Sequence, residues 1–238
     1  MGQLVLCENQ SKLLTDLEFR RAVYAIAYQV YYHFNRSPWH TKIQGEVQQL
    51  PTGQKPPVGS WNIIFVDTLA HAEAGVLGEH EDLEGTIIPV SYIAVDEAKK
   101  YGESVSSVAS HELVEMLVDP YVEKPFIVTH GEKDYIVEIA DPCEGNSYDI
   151  GDPIGIKSGL LVSDFCYPRW FGISEGKLRN GVISLLYTFR GSIEKPFEVD
   201  HGGYISWTPT GRENWTQEFG DRITEIPKWA TRLPTLCK

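Results

Sequence analysis

The sequence has no hydrophobic run long enough to cross a membrane, and no basic segment followed by an apolar core at its start. A membrane-spanning helix needs about 20 consecutive, mostly apolar residues, and a signal peptide needs both of the missing regions. We therefore expect neither membrane insertion nor secretion by a signal peptide. Internal repeats and low-complexity segments are also absent, which argues against a solenoid or a disordered protein.

Basic residues are too few to balance the acidic ones. The chain has 21 lysines and arginines against 33 aspartates and glutamates, which gives a formal net charge of −12. A protein surface that follows a phosphate backbone needs positive charge, so we expect no direct binding to nucleic acid. An acidic chain is better suited to binding divalent cations.

Cysteine is scarce, and no Cys-x-x-Cys pair occurs. The four cysteines are widely spaced, at Cys7, Cys143, Cys166 and Cys237. This spacing predicts free, mostly buried thiols in a reducing compartment. A disulfide bridge between Cys143 and Cys166 is the main alternative.

The pattern of apolar residues predicts an α/β (α+β) fold. We expect a long amphipathic helix over residues 12–34, an interior strand over 61–67 and a second strand over 86–95. Pro89 predicts that this second strand lies on the edge of the sheet, because proline cannot donate a ladder hydrogen bond. His33 and His40, at the end of the long helix, are interpreted as surface or loop histidines.

The domain organisation follows from the same pattern. Residues 1–145 are expected to form an α/β core, and residues 146–238 a β-rich region with many loops that packs on it. One continuous domain is the alternative. The chain is long enough for either arrangement.

A buried helix of about four turns is predicted over residues 104–120, ending at Pro120. His111 and Glu115 lie four positions apart on it, so their side chains project from the same face. With Glu112 between them, the run resembles the His-Glu-x-x-His helix of zinc peptidases, with Glu115 in place of the second histidine. In such a helix the intervening glutamate accepts a proton from the metal-bound water, so Glu112 is the catalytic candidate if the protein is an enzyme.

Further metal ligands are expected beyond this helix. Glu138 lies on a strand that we expect to end at Ala140, and Asp141 follows directly after it. Either could complete the metal site. Asp119 either orients a ligand or hydrogen-bonds the backbone of a turn, and the second interpretation is favoured. His71 or His80 could also reach the metal.

The sequence supports more than one interpretation of these residues. The alternative to a metal site is an amphipathic helix whose polar side faces solvent. One histidine with two or three carboxylates acidifies bound water less than three histidines do. A structural or degenerate site is therefore favoured over an active peptidase. Zinc is the first candidate for the ion, and calcium or manganese are alternatives.

Four motifs in fixed order carry a resemblance to a family of proteins from tailed bacteriophages. The motifs are Ala-Ser-His-Glu-Leu-Val-Glu-Met-Leu-Val-Asp-Pro, Glu-Ile-Ala-Asp-Pro-Cys-Glu, Leu-Val-Ser-Asp-Phe-Cys-Tyr-Pro-Arg-Trp-Phe and Gly-Gly-Tyr-Ile-Ser. The resemblance covers residues from about Leu77 to Tyr204. The first two motifs are also similar to zincin-like proteins with a His-Glu-x-x-Glu helix and a distal Glu-Ile-x-Asp segment.

This resemblance implies a virion-associated structural protein with a metal-stabilised zincin-like fold. It also implies synthesis in the cytoplasm of the bacterial host, a place in the virion and other phage structural proteins as partners. The chain departs from active zinc peptidases at Glu115 and lacks the downstream glycine and histidine of the metzincin type. A zinc-dependent metallopeptidase with Glu112 as general base is the alternative function.

Overall fold

The computed structural model describes residues 2–51, 53–69, 76–82, 88–121, 124–173, 178–212 and 214–220. Its helices are α1 (Asp16–Tyr28), α2 (Val95–Tyr101) and α3 (Val105–Val118). Its strands are β1 (Gln3–Asn9), β2 (Gly45–Gln49), β3 (Trp61–Val66), β4 (Gly78–Asp82), β5 (Pro89–Ala94), β6 (Ile127–His130), β7 (Lys133–Ile136), β8 (Ser147–Asp149), β9 (Leu161–Ser163), β10 (Tyr204–Pro209) and β11 (Thr216–Phe219). The expected α+β class is confirmed. Within the described ranges, no helix has both the length and the apolar character that crossing a membrane requires.

The main sheet has five strands in the order β2-β1-β3-β5-β4. β1, β2, β3 and β5 run parallel, and β4 pairs antiparallel with β5. β3 lies at the centre, and its Ile63 and Phe65 side chains are fully buried. The predicted interior strand is therefore confirmed, because an apolar run of this kind requires cover on both faces of the sheet.

The prediction that the strand containing Pro89 lies on the edge of the sheet is wrong. β5 lies between β3 and β4, and Pro89 is its first residue, opposite Asp82 at the end of β4. Proline is tolerated at the first position of a strand, where the missing N–H interrupts little of the ladder. The edge position belongs to β4 instead. Residues 86 and 87 of the predicted strand lie outside the described residues.

The predicted long helix is present as α1 followed by looser turns. Thr15 caps α1: its hydroxyl accepts from the Glu18 N–H, and the Glu18 carboxylate accepts from the Thr15 N–H. After Tyr28 the backbone widens into a π-helical turn, Gln29–His33. The surface position expected for His33 is wrong, because this turn directs its ring inward, where it stacks on Phe189.

The second half of the chain is joined to the first by both sheet and core. A four-stranded sheet, in the order β11-β10-β7-β6, takes strands from both sides of residue 145, and β8 and β9 form a separate pair. One cluster of buried side chains extends from Val5 to Ile205. Among the described cysteines, Cys7, Cys143 and Cys166 are buried, free thiols, whereas Cys237 lies outside the described residues.

Candidate metal centre

α3 carries the candidate ligands inside the protein. It packs against α1, β4, β5 and β9, and its buried side chains include Leu113, Val114, Met116 and Leu117. Just before His111, Ser110 is also buried, and its hydroxyl accepts a hydrogen bond from the Ser163 N–H of β9. Because both the apolar and the polar sides of α3 are covered, the His111 side chain is only 13% exposed. The polar side of this helix therefore faces a cavity and not bulk solvent.

Three of the predicted ligands come together at one point. The His111 Nε2 atom lies 3.2 Å from Glu115 Oε2 and 3.3 Å from Asp141 Oδ1. One nitrogen or oxygen from each of these three residues lies within 4.8 Å of the others, a spacing that could hold a metal ion. Glu115 and Asp141 are almost completely buried.

The second oxygen of Glu115 explains how Asp141 reaches this point. Glu115 Oε1 accepts hydrogen bonds from the backbone N–H groups of Ala140 (3.0 Å) and Asp141 (3.1 Å). β7 ends at Ile136, earlier than the expected end at Ala140, and the chain turns into a short 3-10 helix, Asp141–Cys143. Glu115 thus anchors the turn that presents Asp141 to His111.

Glu138 lies in the same cavity but beside a different histidine. Its Oε1 atom is 3.9 Å from His80 Nε2, and the His80 Nδ1 atom is 3.5 Å from Glu112 Oε2. His80 comes from the edge strand β4. His71, the other histidine considered with it, lies outside the described residues.

Glu112 and Asp119 occupy contrasting positions. Glu112 is buried against β4, where a Cβ atom added to Gly78 would lie 2.7 Å from the Glu112 side chain. Asp119 follows α3, and its carboxylate accepts a hydrogen bond from the Phe126 N–H at 2.8 Å. Asp119 is not among the described residues that line the cavity. Its hydrogen bond to the backbone agrees with the favoured interpretation, in which Asp119 hydrogen-bonds the backbone of a turn.

The cavity has a volume of about 300 Å³ and is partly open to solvent. It lies between α3, the edge strand β4 and the segment that follows β7. Its described lining includes the carboxyl groups of Glu112, Glu115, Glu138, Asp141 and Glu144, and no lysine or arginine. Buried carboxylates without nearby positive charge are costly unless a cation binds between them.

The pKa values of the lining groups reflect this imbalance. Burial opposes a charged His111, but the carboxylates of Glu115 and Asp141 outweigh burial and hold its pKa well above the usual range. Burial and the charge of Glu115 raise the pKa of Asp141 to about 7. Burial also raises the pKa values of Glu138 and Glu144 well above those of ordinary carboxyl groups. Without a bound cation, the cavity is therefore short of positive charge.

Glu144 and Tyr204 line the cavity beside Asp141 and were not among the predicted site residues. Glu144 lies one 3-10 turn beyond Asp141, and a buried Glu144 oxygen has no hydrogen-bond partner among the described residues. Tyr204, from β10, also lines the cavity, and its hydroxyl group lowers the pKa of Asp141. The spacing Asp-Pro-Cys-Glu could have indicated Glu144, whereas nothing local in the sequence links Tyr204 to the site.

Comparisons with known proteins leave the function to be argued from this geometry. No protein-family model, curated protein sequence or solved structure matches the chain.

Proposed function

We propose that this protein binds a divalent metal ion through His111, Glu115 and Asp141. The observation that carries the proposal is the convergence of one imidazole and two carboxylates from separate segments inside a cavity with excess negative charge. A cation between them would replace the ion pairs of His111 with metal–ligand bonds. It would also fix α3 to the turn after β7.

The donor set fits zinc or manganese better than calcium. An imidazole nitrogen suits the transition metals, whereas calcium prefers six or more oxygen ligands. His111 is the only nitrogen donor in this three-residue set, and its two carboxylate partners would neutralise a dication. Zinc therefore stays the first candidate and manganese the second.

Removal of the metal should destabilise the protein. At a free metal concentration about 100 times the Kd, a bound ion contributes about 2.7 kcal/mol, which corresponds to about 5–10 °C in Tm for a chain of this size. We expect a chelator to lower the Tm of the zinc-loaded protein by this amount. His111→Ala should lower the Tm of the zinc-loaded sample similarly and remove most of the further effect of the chelator.

His130→Ala is the matched control, because His130 is exposed on β6 and does not line the cavity. This variant should respond to the chelator as the parent protein does. An identical melting curve for the parent protein with and without chelator, together with an unchanged curve for His111→Ala, would remove the structural role of the metal.

A metal-dependent peptide hydrolase is the second candidate, favoured by the position of the edge strand. The cavity is lined in part by β4, which has no partner on its outer side among the described strands. The Ala94 N–H donates a hydrogen bond to the Leu77 carbonyl. Because hydrogen-bonded and non-hydrogen-bonded pairs alternate along an antiparallel ladder, the N–H and C=O groups of Gly78 and His80 point away from β5. An extended peptide could pair with these groups, as it does in zincin-like enzymes.

In this second candidate, Glu112 would act as the general base. A Glu112 oxygen lies within 4.8 Å of a Glu115 oxygen, so it is close to the proposed metal position. A divalent metal ion supplies Lewis acidity, which polarises a carbonyl group and acidifies water. Glu112 would accept the proton of the attacking water and pass it to the leaving amine. Burial beneath β4 would keep its carboxylate in place.

Glu112→Gln distinguishes this candidate from a purely structural metal. If the protein is a hydrolase, the zinc-loaded parent protein should cleave some peptides of a varied library, and the variant should lose about 100-fold or more in rate. Peptide cleavage can be followed by mass spectrometry, with the zinc content of the variant measured in parallel. A zinc-loaded parent protein that cleaves none of the library would exclude the hydrolase for those peptides and favour the structural metal.

The location in a phage particle rests on the resemblance of the sequence motifs. A protein that serves as a metal-stabilised part of a virion needs no catalytic step, which suits the first candidate. Association with other phage structural proteins stays a prediction.

A further inference from the structure

A second group of potential ligands lies beside the first. One nitrogen of His80 and one oxygen each of Glu112 and Glu115 lie within 4.8 Å of one another. The group combines the edge strand β4 with α3. Glu115 belongs to both groups, so the two positions are adjacent within the same cavity.

His80 provides a second observation that a ligand belongs in this part of the cavity. Its side chain is only 9% exposed, it lines the cavity, and its Nε2 atom has no hydrogen-bond partner among the described residues. The closest carboxylate oxygen to Nε2, on Glu138, is 3.9 Å away, which is too far for a hydrogen bond. A buried ring nitrogen without a partner is costly, and coordination to a metal would satisfy it.

The lining of the cavity offers more ligands than one ion uses. The carboxyl groups of Glu112, Glu115, Glu138, Asp141 and Glu144 all face it, and the first position takes only those of Glu115 and Asp141. No described lysine or arginine lines the cavity, so no such side chain competes with a second dication for the remaining carboxyl groups.

We propose that the cavity holds two divalent transition-metal ions, the second bound by His80, Glu112 and Glu115. The Glu115 carboxylate is shared between the two ions, so this inference rests on the proposed function. Zinc and manganese fit the mixed imidazole and carboxylate donors. In the doubly loaded protein Glu112 is a ligand, and its role as a general base then belongs only to the singly loaded form.

Metal stoichiometry tests this proposal directly. Metal-free protein is titrated with zinc in a calorimeter, and the zinc content after desalting is measured by elemental analysis. We expect two ions per chain for the parent protein and for His130→Ala, and one ion for His80→Ala. Glu112→Gln should weaken the second binding event at least tenfold, and it serves as a second variant if His80→Ala does not fold by circular dichroism.

The outcomes separate the two proposals. One ion per chain in both the parent protein and His80→Ala overturns the second position and leaves the first intact. No bound zinc in the parent protein overturns both.

A manganese-loaded sample adds a test of the shared ligand: two ions joined by Glu115 should give an exchange-coupled electron paramagnetic resonance spectrum. Two bound manganese ions with an uncoupled spectrum would contradict the sharing of Glu115.

Discussion

At the residue scale, burial determines what the ionisable side chains can do. His111 and His80 lie among carboxylates, which favour a charged imidazole or a bound metal. His33 lies among aromatic rings, where the neutral form is favoured. The Gln29 amide donates to the Tyr148 hydroxyl, and that hydroxyl lies 2.8 Å from His33 Nδ1. A neutral His33, whose Nδ1 accepts a hydrogen bond from the Tyr148 hydroxyl, completes this chain of hydrogen bonds.

The pH dependence of stability should reveal the neutral His33. Burial, with the charges of Arg190 and Arg36, lowers its pKa from 6.5 to about 4. A histidine whose pKa is lower in the folded than in the unfolded protein contributes its full stabilisation at pH values above the pKa of the unfolded state. This contribution is lost as the pH falls from about 6.5 to 4. The whole difference amounts to at most about 3 kcal/mol.

His33→Gln provides the comparison, because glutamine does not titrate. The free energy of unfolding, measured with urea, should favour the parent protein by more at pH 7.5 than at pH 5. Contributions from other groups cancel in the difference between the two proteins. The same difference at both pH values would show that His33 is not held neutral.

The choice of the third candidate ligand shows the limit of residue-level prediction. The four-residue spacing of His111 and Glu115 was sufficient to predict that they share a helix face. The sequence did not decide between Glu138 and Asp141, because that choice depends on where β7 ends. The strand stops at Ile136, and the 3-10 turn after it directs Asp141 to His111 and leaves Glu138 beside His80.

At the element scale, the helix and the edge strand differ in how well the sequence predicts them. α3 was predicted because its apolar residues and Pro120 define it locally. β4 was not, since its sequence Gly-Glu-His-Glu-Asp has neither apolar alternation nor β-branched residues. Its strand form depends on pairing with β5, which is a tertiary contact. The wrong edge assignment for β5 follows from this unrecognised neighbour.

The close contact between β4 and α3 predicts a specific sensitivity at Gly78. A methyl group there would lie 2.7 Å from both Cγ and Oε1 of Glu112, so either the side chain or the strand must shift. We expect Gly78→Ala to destabilise the protein by about 1–3 kcal/mol. In a Glu112→Ala background the same substitution should cost little, because the conflicting atoms are gone. Urea unfolding of the four proteins gives this coupling, and equal costs in both backgrounds would contradict the contact.

At the scale of the whole molecule, the proposed metal site brings together residues that adjoin the two main sheets. α3 packs on the five-stranded sheet, Asp141 follows β7 of the four-stranded sheet, and Tyr204 lies on β10 of that same sheet. The sequence predicted the class of fold and the central helix. It did not predict the pairing of β7 with β10, because residues so far apart in sequence have no local signal for their register.

The proposed function therefore depends on an ion between α3 and the turn after β7. Crystals grown with zinc and measured at the zinc absorption edge would test this most directly. We expect an anomalous difference peak at about 2 Å from His111 Nε2 and from oxygens of Glu115 and Asp141. A map with no peak in the cavity, in which His111 keeps only its contacts with these two carboxylates, would contradict the central claim.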